Sequence, residues 1–303
     1  MIDSTQGNRQ SVPYPIRLPV SGCHVILRQP TGAEDLLLLE ATGDDTALAL
    51  ELAEHLAWPT GGGKLDWPNL TVTDLDALIM RLRQSVIGDR LRADLTCQSS
   101  GCGKRIDIAF GINEYLAHRR PGRPRARSSW TIEPDEEPGW FLLMAAAKKA
   151  RKMVPAPHVP AGGLDASERS PTPDGPVAFR LPTAADQLAI AGDQQGVDEL
   201  ARRCIRPAGI SPRLRRLVED AMETLAPSLS GDLRGTCPEC GAEVIVHFYA
   251  REFCLRELRN KAAFLYQDID LLARRYHWAE RDILTMPHVR RTNYAELARQ
   301  QVL

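Results

Sequence analysis

The sequence predicts an α+β protein, mainly helical, made of two divergent copies of a helix-plus-β-hairpin module with a C-terminal helical extension. Three observations lead to this prediction. An ordered pattern of strand, helix and cysteine pair occurs twice, apolar residues recur at helical spacing within each copy, and helical patterns continue after the second copy. The predicted domains are 1–118 for the first module, 119–176 for an arginine- and proline-rich insertion and linker, and 177–303 for the second module with its extension.

Each copy opens with a strand and a helix whose start is marked by the same residues. The stretch VILRQPTGAEDLLLLEA in the first copy parallels VAFRLPTAADQLAIAGD in the second. In both, a threonine follows a proline, and an acidic residue stands three positions later: Thr31 is followed by Glu34, and Thr183 by Asp186. This spacing is typical of a helix N-cap with a capping box. A helix is therefore predicted to begin after each threonine.

Each copy continues with a second helix and a hairpin that carries a cysteine pair. The stretch LDALIMRLRQSVIGDRLRADLTCQSSGCGKRIDIAF parallels LRRLVEDAMETLAPSLSGDLRGTCPECGAEVIVHF. Apolar residues at helical spacing predict the buried face of this helix in both copies. They are Leu75, Leu78, Ile79 and Leu82 in the first copy, and Leu214, Leu217, Val218, Ala221, Met222 and Leu225 in the second.

The strands that follow the two cysteine pairs differ in pattern. Ile106 and Ile108 alternate with polar residues, which is typical of a half-buried hairpin strand. The corresponding residues 244–246 form a continuous apolar run, VIV. The strand of the second hairpin is therefore predicted to be the more buried of the two.

A glycine-rich stretch, WPTGGGKLDWPN, is present in the first copy alone and runs from Trp58 to Asn69. Its GGGK resembles part of a phosphate-binding loop. That motif, however, requires a glycine where Trp58 stands and a serine or threonine where Leu65 stands. We therefore predict a solvated loop and no nucleotide site.

The insertion at 119–176 differs in composition from both copies. It begins with RRPGRPRAR, whose five arginines run from Arg119 to Arg127, and these could contact phosphates or form a solvated, partner-binding surface. The stretch WTIEPDEEPGWFLL then predicts a hairpin. The proline-, glycine- and serine-rich segment 154–176 predicts an exposed linker that proteases should cut first.

The C-terminal extension carries a narrow apolar seam with steps of four and three residues: Leu258, Ala262, Leu265, Ile269, Leu272 and Tyr276. Two further short helices are predicted on either side of Pro287. Aromatic and arginine residues that often anchor protein interfaces are dense in this region, and the predicted partner interface consists of Tyr276, Trp278, Arg290, Arg291 and Tyr294. In the alternative, Tyr276 and Trp278 simply pack these helices together.

Seven cysteines are present, an odd number that argues against a disulfide framework. Four of them form two close pairs, Cys97 with Cys102 and Cys237 with Cys240. Each spacing is compatible with two thiolates on one zinc ion, but one pair cannot close a tetrahedral site. We therefore predict that the two hairpins meet and share one zinc; alternatively, the four cysteines merely pack. The remaining three are predicted to be core residues: Cys23, Cys204 and Cys254.

Composition narrows the classes of protein to which the chain can belong. The chain has 303 residues, is 43% hydrophobic, and carries 38 basic against 39 acidic residues. This balance provides no global field toward nucleic acid or an anionic membrane. No apolar run approaches the ~20 residues needed to cross a bilayer, and the N-terminus lacks the pattern of a signal peptide. We expect a cytoplasmic protein without a membrane segment.

Catalytic motifs are not evident in the sequence. His247 lacks a serine, cysteine or carboxylate at a motif position beside it, and His277 and His288 lie among residues suited to packing. The dithiol of CPEC lacks the βαβ setting that lowers a thiol pKa in redox proteins. We therefore expect no enzymatic activity and no small-molecule substrate.

The second copy with its extension resembles the T4-type bacteriophage baseplate proteins related to the hub and to hub assembly, which are also encoded beside phage-like contractile injection systems. The resemblance covers roughly 177–297 and is carried by FRLPTAADQLA, TCPECG, FCLREL and above all LARRYHWAERDILTMPHVRRTNY. It implies a non-enzymatic structural or assembly role in a phage-tail-like particle, with hub, spike, tube or other baseplate proteins as partners. CQSSGC in the first copy departs from the tight CPxC pattern.

A zinc-ribbon-like adaptor that binds nucleic acid is the alternative function. The paired cysteines and the run RRPGRPRAR favour it. The neutral net charge and the lack of aromatic residues among the arginines argue against it. The baseplate role is therefore the leading hypothesis.

Overall fold

The structure is a computed structural model that describes residues 15–122, 130–145 and 176–300. These residues form two compact units that alternate along the chain. The larger unit takes the residues up to Arg120, Thr183–Ala191 and the residues from Ser228 onward; the smaller takes Pro121–Pro182 and Gly192–Pro227. Most of the predicted linker, 154–175, and residues 123–129 of the arginine-rich run lie outside the described residues. The predicted domain boundaries stay predictions.

Helices and small antiparallel sheets are both present, so the predicted α+β class is confirmed. The strands are β1 (Pro15–Arg17), β2 (His24–Leu27), β3 (Ala57–Pro59), β4 (Arg90–Thr96), β5 (Arg105–Gly111), β6 (Trp130–Pro134), β7 (Trp140–Ala145), β8 (Val177–Arg180), β9 (Ile205–Arg206), β10 (Gly231–Thr236) and β11 (Glu243–Phe248). The helices are α1 (Gly32–Glu40), α2 (Asp45–Leu56), α3 (Val72–Ile87), α4 (Ile112–His118), α5 (Ala184–Ala189), α6 (Gly196–Cys204), α7 (Pro212–Leu225), α8 (Ala250–Ala262), α9 (Leu265–Tyr276), α10 (Glu280–Leu284) and α11 (His288–Gln300). A short 3-10 helix spans Trp67–Asn69.

The strands pair in four antiparallel sheets. The larger unit contains β1-β2-β3 and the separate hairpins β4-β5 and β10-β11, and the smaller unit contains β6-β7-β8-β9. All three hairpins predicted from the sequence, including the one in the insertion, are confirmed. Apart from the short 3-10 helix, the order β2-α1-α2-β3-α3-β4-β5-α4 recurs as β8-α5-α6-β9-α7-β10-β11-α8. The duplication of one module stays a prediction.

Both predicted helix starts are confirmed. The carboxylate of Glu34 accepts a hydrogen bond from the backbone N–H of Thr31 at 2.8 Å, and that of Asp186 accepts one from Thr183 at 3.0 Å. The two capping boxes satisfy backbone donors that the first turn of a helix otherwise leaves unpaired. Local chemistry therefore sets the start of α1 and of α5.

The core of the larger unit holds the bases of its two cysteine hairpins, β4-β5 and β10-β11, in place. The predicted stripe on α3 is buried, and α3 packs against α8. Arg83 on α3 pairs with Glu257 on α8 at 2.7 Å, and Arg251 on α8 pairs with Asp76 on α3 at 2.7 Å. Because α3 leads into β4 and β11 leads into α8, this helix pair anchors one strand of each hairpin.

Aromatic side chains also join the two cysteine hairpins at their bases. Phe110 at the end of β5 meets Phe248 at the end of β11 edge to face, with ring centroids 5.4 Å apart. Tyr115 on α4 contacts Phe248 at 5.7 Å and donates its hydroxyl to the carbonyl of Leu229, just before β10. Such contacts hold the bases of the hairpins together and leave their tips to meet at the far end.

The predicted stripe of the second copy forms the core of the smaller unit. Leu214, Val218 and Ala221 on α7 are buried there with Phe179 of β8, and the other residues of the stripe pack against them. The predicted difference between the two cysteine hairpins is wrong, however. Ile245 is 50% exposed. The side chains of β11 alternate between the two faces of the hairpin, and only one of these faces is covered by other residues.

The C-terminal seam is buried or half-buried as predicted, but it runs over two helices. The chain leaves α8 after Ala262 and re-enters a helix at Leu265. Neither proline nor glycine marks this break in the sequence. The helices on either side of Pro287 are confirmed as α10 and α11. No helix in the described ranges combines the length and apolar character needed to span a membrane.

Candidate metal centre

The tips of the two cysteine hairpins meet in the larger unit. Cys97 follows β4 and Cys102 precedes β5, while Cys237 follows β10 and Cys240 precedes β11. The four sulfur atoms all lie within 4.8 Å of one another. The cysteines predicted as metal ligands therefore come together, two from each hairpin.

Two of the sulfur–sulfur distances match the edge of a tetrahedral metal site. Sγ of Cys97 lies 3.8 Å from Sγ of Cys240, and Sγ of Cys102 lies 3.9 Å from Sγ of Cys237. A tetrahedron with metal–sulfur bonds of ~2.3 Å has edges of about 3.8 Å. Both short distances join one hairpin to the other, so a metal held here would crosslink them.

The hairpin turns shape this cluster through their backbone. Cys97 donates its N–H to the carbonyl of Lys104 at 2.8 Å, and Cys237 donates to the carbonyl of Ala242 at 2.8 Å. Gly103 and Gly241, each next to the second cysteine of its pair, have φ of 58° and 72°. Because an L side chain rarely adopts this left-handed conformation, glycine lets both turns close tightly.

Backbone N–H groups also point at the sulfur atoms. The sulfur of Cys237 accepts hydrogen bonds from the backbone N–H groups of Cys240 and Glu239, and these hydrogen bonds lower its thiol pKa to about 7. The N–H of Ser99 lowers the pKa of Cys97, but burial and the neighbouring sulfur atoms outweigh it and raise that pKa to about 12. Without a metal the cluster therefore holds protons, and metal binding must displace them.

A small apolar cluster lies beneath the sulfur atoms. It consists of Ile106 and Val244, which are buried with Cys97 and Cys237, and of Leu95 at its edge. This packing keeps water from the inner side of the site, which favours metal–thiolate bonds over hydration.

The other three cysteines lie away from the cluster. Cys204 and Cys254 are buried in the cores of the smaller and larger units, and Cys23 packs at the edge of the larger core. Burial raises the pKa of Cys254 to about 12. These positions confirm the predicted role of Cys204 and Cys254 as core residues.

A cleft of about 220 Å³ lies beside the same hairpins and was not predicted. Its walls include Leu91, Phe110, Phe253 and His247. The Nδ1 atom of His247 is 2.8 Å from Asp232, and both side chains are about half exposed. Within the described ranges, neither serine nor cysteine lines this cleft.

The aromatic residues of the predicted partner interface contact one another. The rings of Tyr276 and Trp278 stack with centroids 4.7 Å apart, and Tyr294 meets Trp278 edge to face at 5.1 Å. All three are half-buried. This geometry favours the alternative in which they pack the C-terminal helices together. Arg290 is exposed, with its guanidinium carbon 5.8 Å from the ring centre of Tyr294.

Arg291, which was predicted to take part in the partner interface, is instead buried, with its side chain only 1% exposed. Its Nη2 donates to Asp35 on α1 at 2.5 Å, and its Nε lies 3.6 Å from Asp268 on α9. His288 shares Asp35 at 3.3 Å. The sequence gives no local signal for this burial, because the partner Asp35 lies 256 positions away in the chain.

Comparison with known proteins provides no relative: no family model matches the chain, and neither a curated protein nor a solved structure matches it. The interpretation of the four-cysteine cluster therefore rests on its own geometry. The resemblance of 177–297 to baseplate proteins stays a prediction.

Proposed function

We propose that this protein is a non-enzymatic structural or assembly component of the baseplate of a contractile phage tail or phage-like contractile injection system, held together by one structural zinc ion. The four-cysteine cluster supports the structural, zinc-bound part of this proposal. Four thiolates complete the tetrahedral shell of a zinc ion and leave no position for a water molecule or a substrate. A closed site of this kind stabilises a fold and has no open coordination position for catalysis.

Zinc is the metal that the donor set favours. Four soft sulfur donors in a tetrahedral arrangement are typical of zinc or iron and exclude the hard cations that bind oxygen. Metal analysis of protein purified without chelator should find close to one zinc per chain. Iron in its place would correct the metal, and the absence of both would overturn the centre.

The recurring order of elements supports an origin of the two halves as copies of one module. Each copy passes through strand, capped helix, second helix, strand, third helix, cysteine hairpin and helix. Each also contributes two thiols, so the zinc ion would join equivalent parts of the two copies. Duplicated modules that crosslink in this way suit a scaffold better than a single active site.

The baseplate role rests on the long ordered signature in the second copy and its extension, and it can be tested in the cells that encode the protein. Deleting the gene should abolish sheathed, tail-like particles seen by electron microscopy, and restoring the wild-type gene should bring them back. Mass spectrometry of the purified particles then separates a component that remains from one that acts only during assembly. Normal particles in the deletion strain would overturn the proposal.

The alternative function, a zinc-ribbon-like nucleic-acid adaptor, receives little support from the hairpins. Their strands and turns, 90–111 and 231–248, carry five basic and five acidic residues, so no positive surface is concentrated there. A filter-binding assay at low salt discriminates between the two functions. Salt-dependent binding that disappears when the arginines between Arg119 and Arg127 are neutralised would favour the adaptor.

A further inference from the structure

The four sulfur ligands differ in their access to solvent. Cys97 and Cys237 are 4% and 1% exposed, and Cys102 is half-buried. Cys240, in contrast, is exposed, and so is every residue of its turn from 238 to 241. The cluster therefore has one open corner, and the sulfur of Cys240 occupies it.

Exposure matters here because a metal holds its sulfur ligands as thiolates, which are the nucleophilic form of cysteine. Oxidants attack exposed thiolates first. The core cysteines do not compete, since burial keeps Cys254 protonated with a pKa of about 12 and Cys204 is equally inaccessible. Among the four proposed ligands, Cys240 thus has the greatest access to solvent, since Cys102 is half-buried and the other two are buried.

A second thiolate is placed to complete the reaction. Sγ of Cys97 lies 3.8 Å from Sγ of Cys240, on the buried side of the cluster and in the other hairpin. An oxidised Cys240 would therefore meet a neighbouring sulfur atom at contact distance.

We propose that the centre is an oxidation-sensitive site, at which a peroxide attacks Cys240 first and a Cys97–Cys240 disulfide then forms with release of the metal. This inference rests on the proposed zinc site. The Cys240 thiolate forms a bond with one peroxide oxygen, the O–O bond breaks, and the leaving oxygen takes up a proton as water. The Cys97 thiolate then attacks the resulting sulfenic sulfur, and hydroxide leaves and takes up a proton as a second water.

The electron balance closes without a further reactant. Two thiolates each lose one electron, and one hydrogen peroxide molecule gains both. Only Cys102 and Cys237 remain as ligands, and two thiolates cannot complete the tetrahedral shell of zinc. The metal is therefore released, while the new disulfide keeps the hairpin tips covalently joined.

The test uses zinc-loaded full-length protein, hydrogen peroxide and a chromogenic zinc chelator. In the variant C240H the histidine retains a ligand at the open corner but removes the exposed thiolate, and C102H is the matched control that keeps Cys240. Because both variants carry the same change of ligand, their rates are compared with each other, and we expect C240H to release zinc about tenfold more slowly than C102H. Peptide mapping of oxidised wild type should find the Cys97–Cys240 disulfide.

Alkylation of the wild-type protein provides a second test, which decides the matter if either variant fails to bind zinc. A limiting amount of iodoacetamide, applied to zinc-loaded wild type, should label Cys240 ahead of the other three ligands. Equal labelling of the four, or equal release rates from C240H and C102H, would overturn this inference and leave the zinc site intact. Absence of any metal in the untreated wild type would overturn the zinc site and this inference together.

Discussion

Replacing Arg291 with glutamate should destabilise the protein far more than the same change at the adjacent Arg290. Arg291 is buried and faces two carboxylates, those of Asp35 and Asp268. Removing one partner of a buried ion pair costs about 3–5 kcal/mol, because the remaining charge is left uncompensated in the interior. Glutamate at this position adds a third carboxylate, so we expect R291E to reach the upper end of this range.

Other polar partners of the two carboxylates reduce the cost of a neutral substitution. Asp268 still has Arg299 at 2.7 Å, and Asp35 still has His288 at 3.3 Å. We therefore expect the variant R291M to lie near the lower end, at about 3 kcal/mol. At Arg290 the loss is limited to an exposed cation–π contact with Tyr294, which is worth at most about 1 kcal/mol.

Urea denaturation followed by circular dichroism measures these differences as changes in the free energy of unfolding. The order of stability should be wild type, R290E, R291M and R291E, from most to least stable. The double variant D35N/R291M removes both charges. We expect it to lose less unfolding free energy than the sum of the losses in D35N and R291M. An R291E protein within about 1 kcal/mol of R290E would refute the role of the buried pair.

Lowering the pH should weaken the stabilisation that Asp35 provides together with Arg291 and His288. Burial alone would raise the pKa of Asp35, but hydrogen bonds from His288 and Arg291 outweigh it and lower that pKa below its usual 3.8. A lowered pKa in the folded state means that this stabilisation is present above the usual pKa and is lost as the pH falls through the folded value. The unfolding free energy of R291M should therefore depend less on pH below about 4 than that of wild type. Equal acid dependence in the two proteins would contradict this.

Three further predictions concern the metal centre. The double variant C237S/C240S should lose its zinc, since two thiolates cannot close the site; retained zinc by metal analysis would disprove the shared centre. Zinc affinity, followed by competition with a chelator, should rise with pH because the metal displaces protons from the thiols; an affinity that is flat between about pH 6 and 8 would count against thiolate ligation. Replacing Gly241, whose φ is 72°, with alanine should cost about 1–2 kcal/mol in a thermal or urea melt through backbone strain, whereas alanine at Gly235, whose φ is not positive, should cost less; equal costs would argue against strain at the turn.

Local chemistry made much of the fold predictable from the sequence. The capping boxes at Thr31 and Thr183 involve residues three positions apart, and the hairpins are set by turn residues between alternating strands. The approach of the two cysteine pairs followed from a different argument: each pair is half of a tetrahedral site, and the chain contains two such pairs.

The features that the sequence did not predict depend on contacts between residues that are far apart in the chain. Arg291 is buried because Asp35 lies opposite it, 256 positions away in the chain, and no local pattern identifies that partner. The exposure of Ile245 has a similar cause: β11 pairs with β10 alone, so a residue of high β propensity remains on an uncovered face. Access to the metal site likewise depends on how the two hairpins meet, which neither hairpin encodes by itself.

The separation of the two cysteine hairpins along the chain also sets a time at which the centre can form. Cys97 and Cys240 are 143 positions apart, and residues of the smaller unit occupy much of the chain between them. At a synthesis rate of about 5–20 residues per second, the first hairpin waits on the order of ten seconds for the second. During that interval two thiols lack their partners, so zinc uptake would mark the moment at which the second hairpin joins the first. Ribosome-bound chains that stop before Cys237 should therefore retain no zinc, and retention by such chains would show that the first hairpin holds the metal by other means.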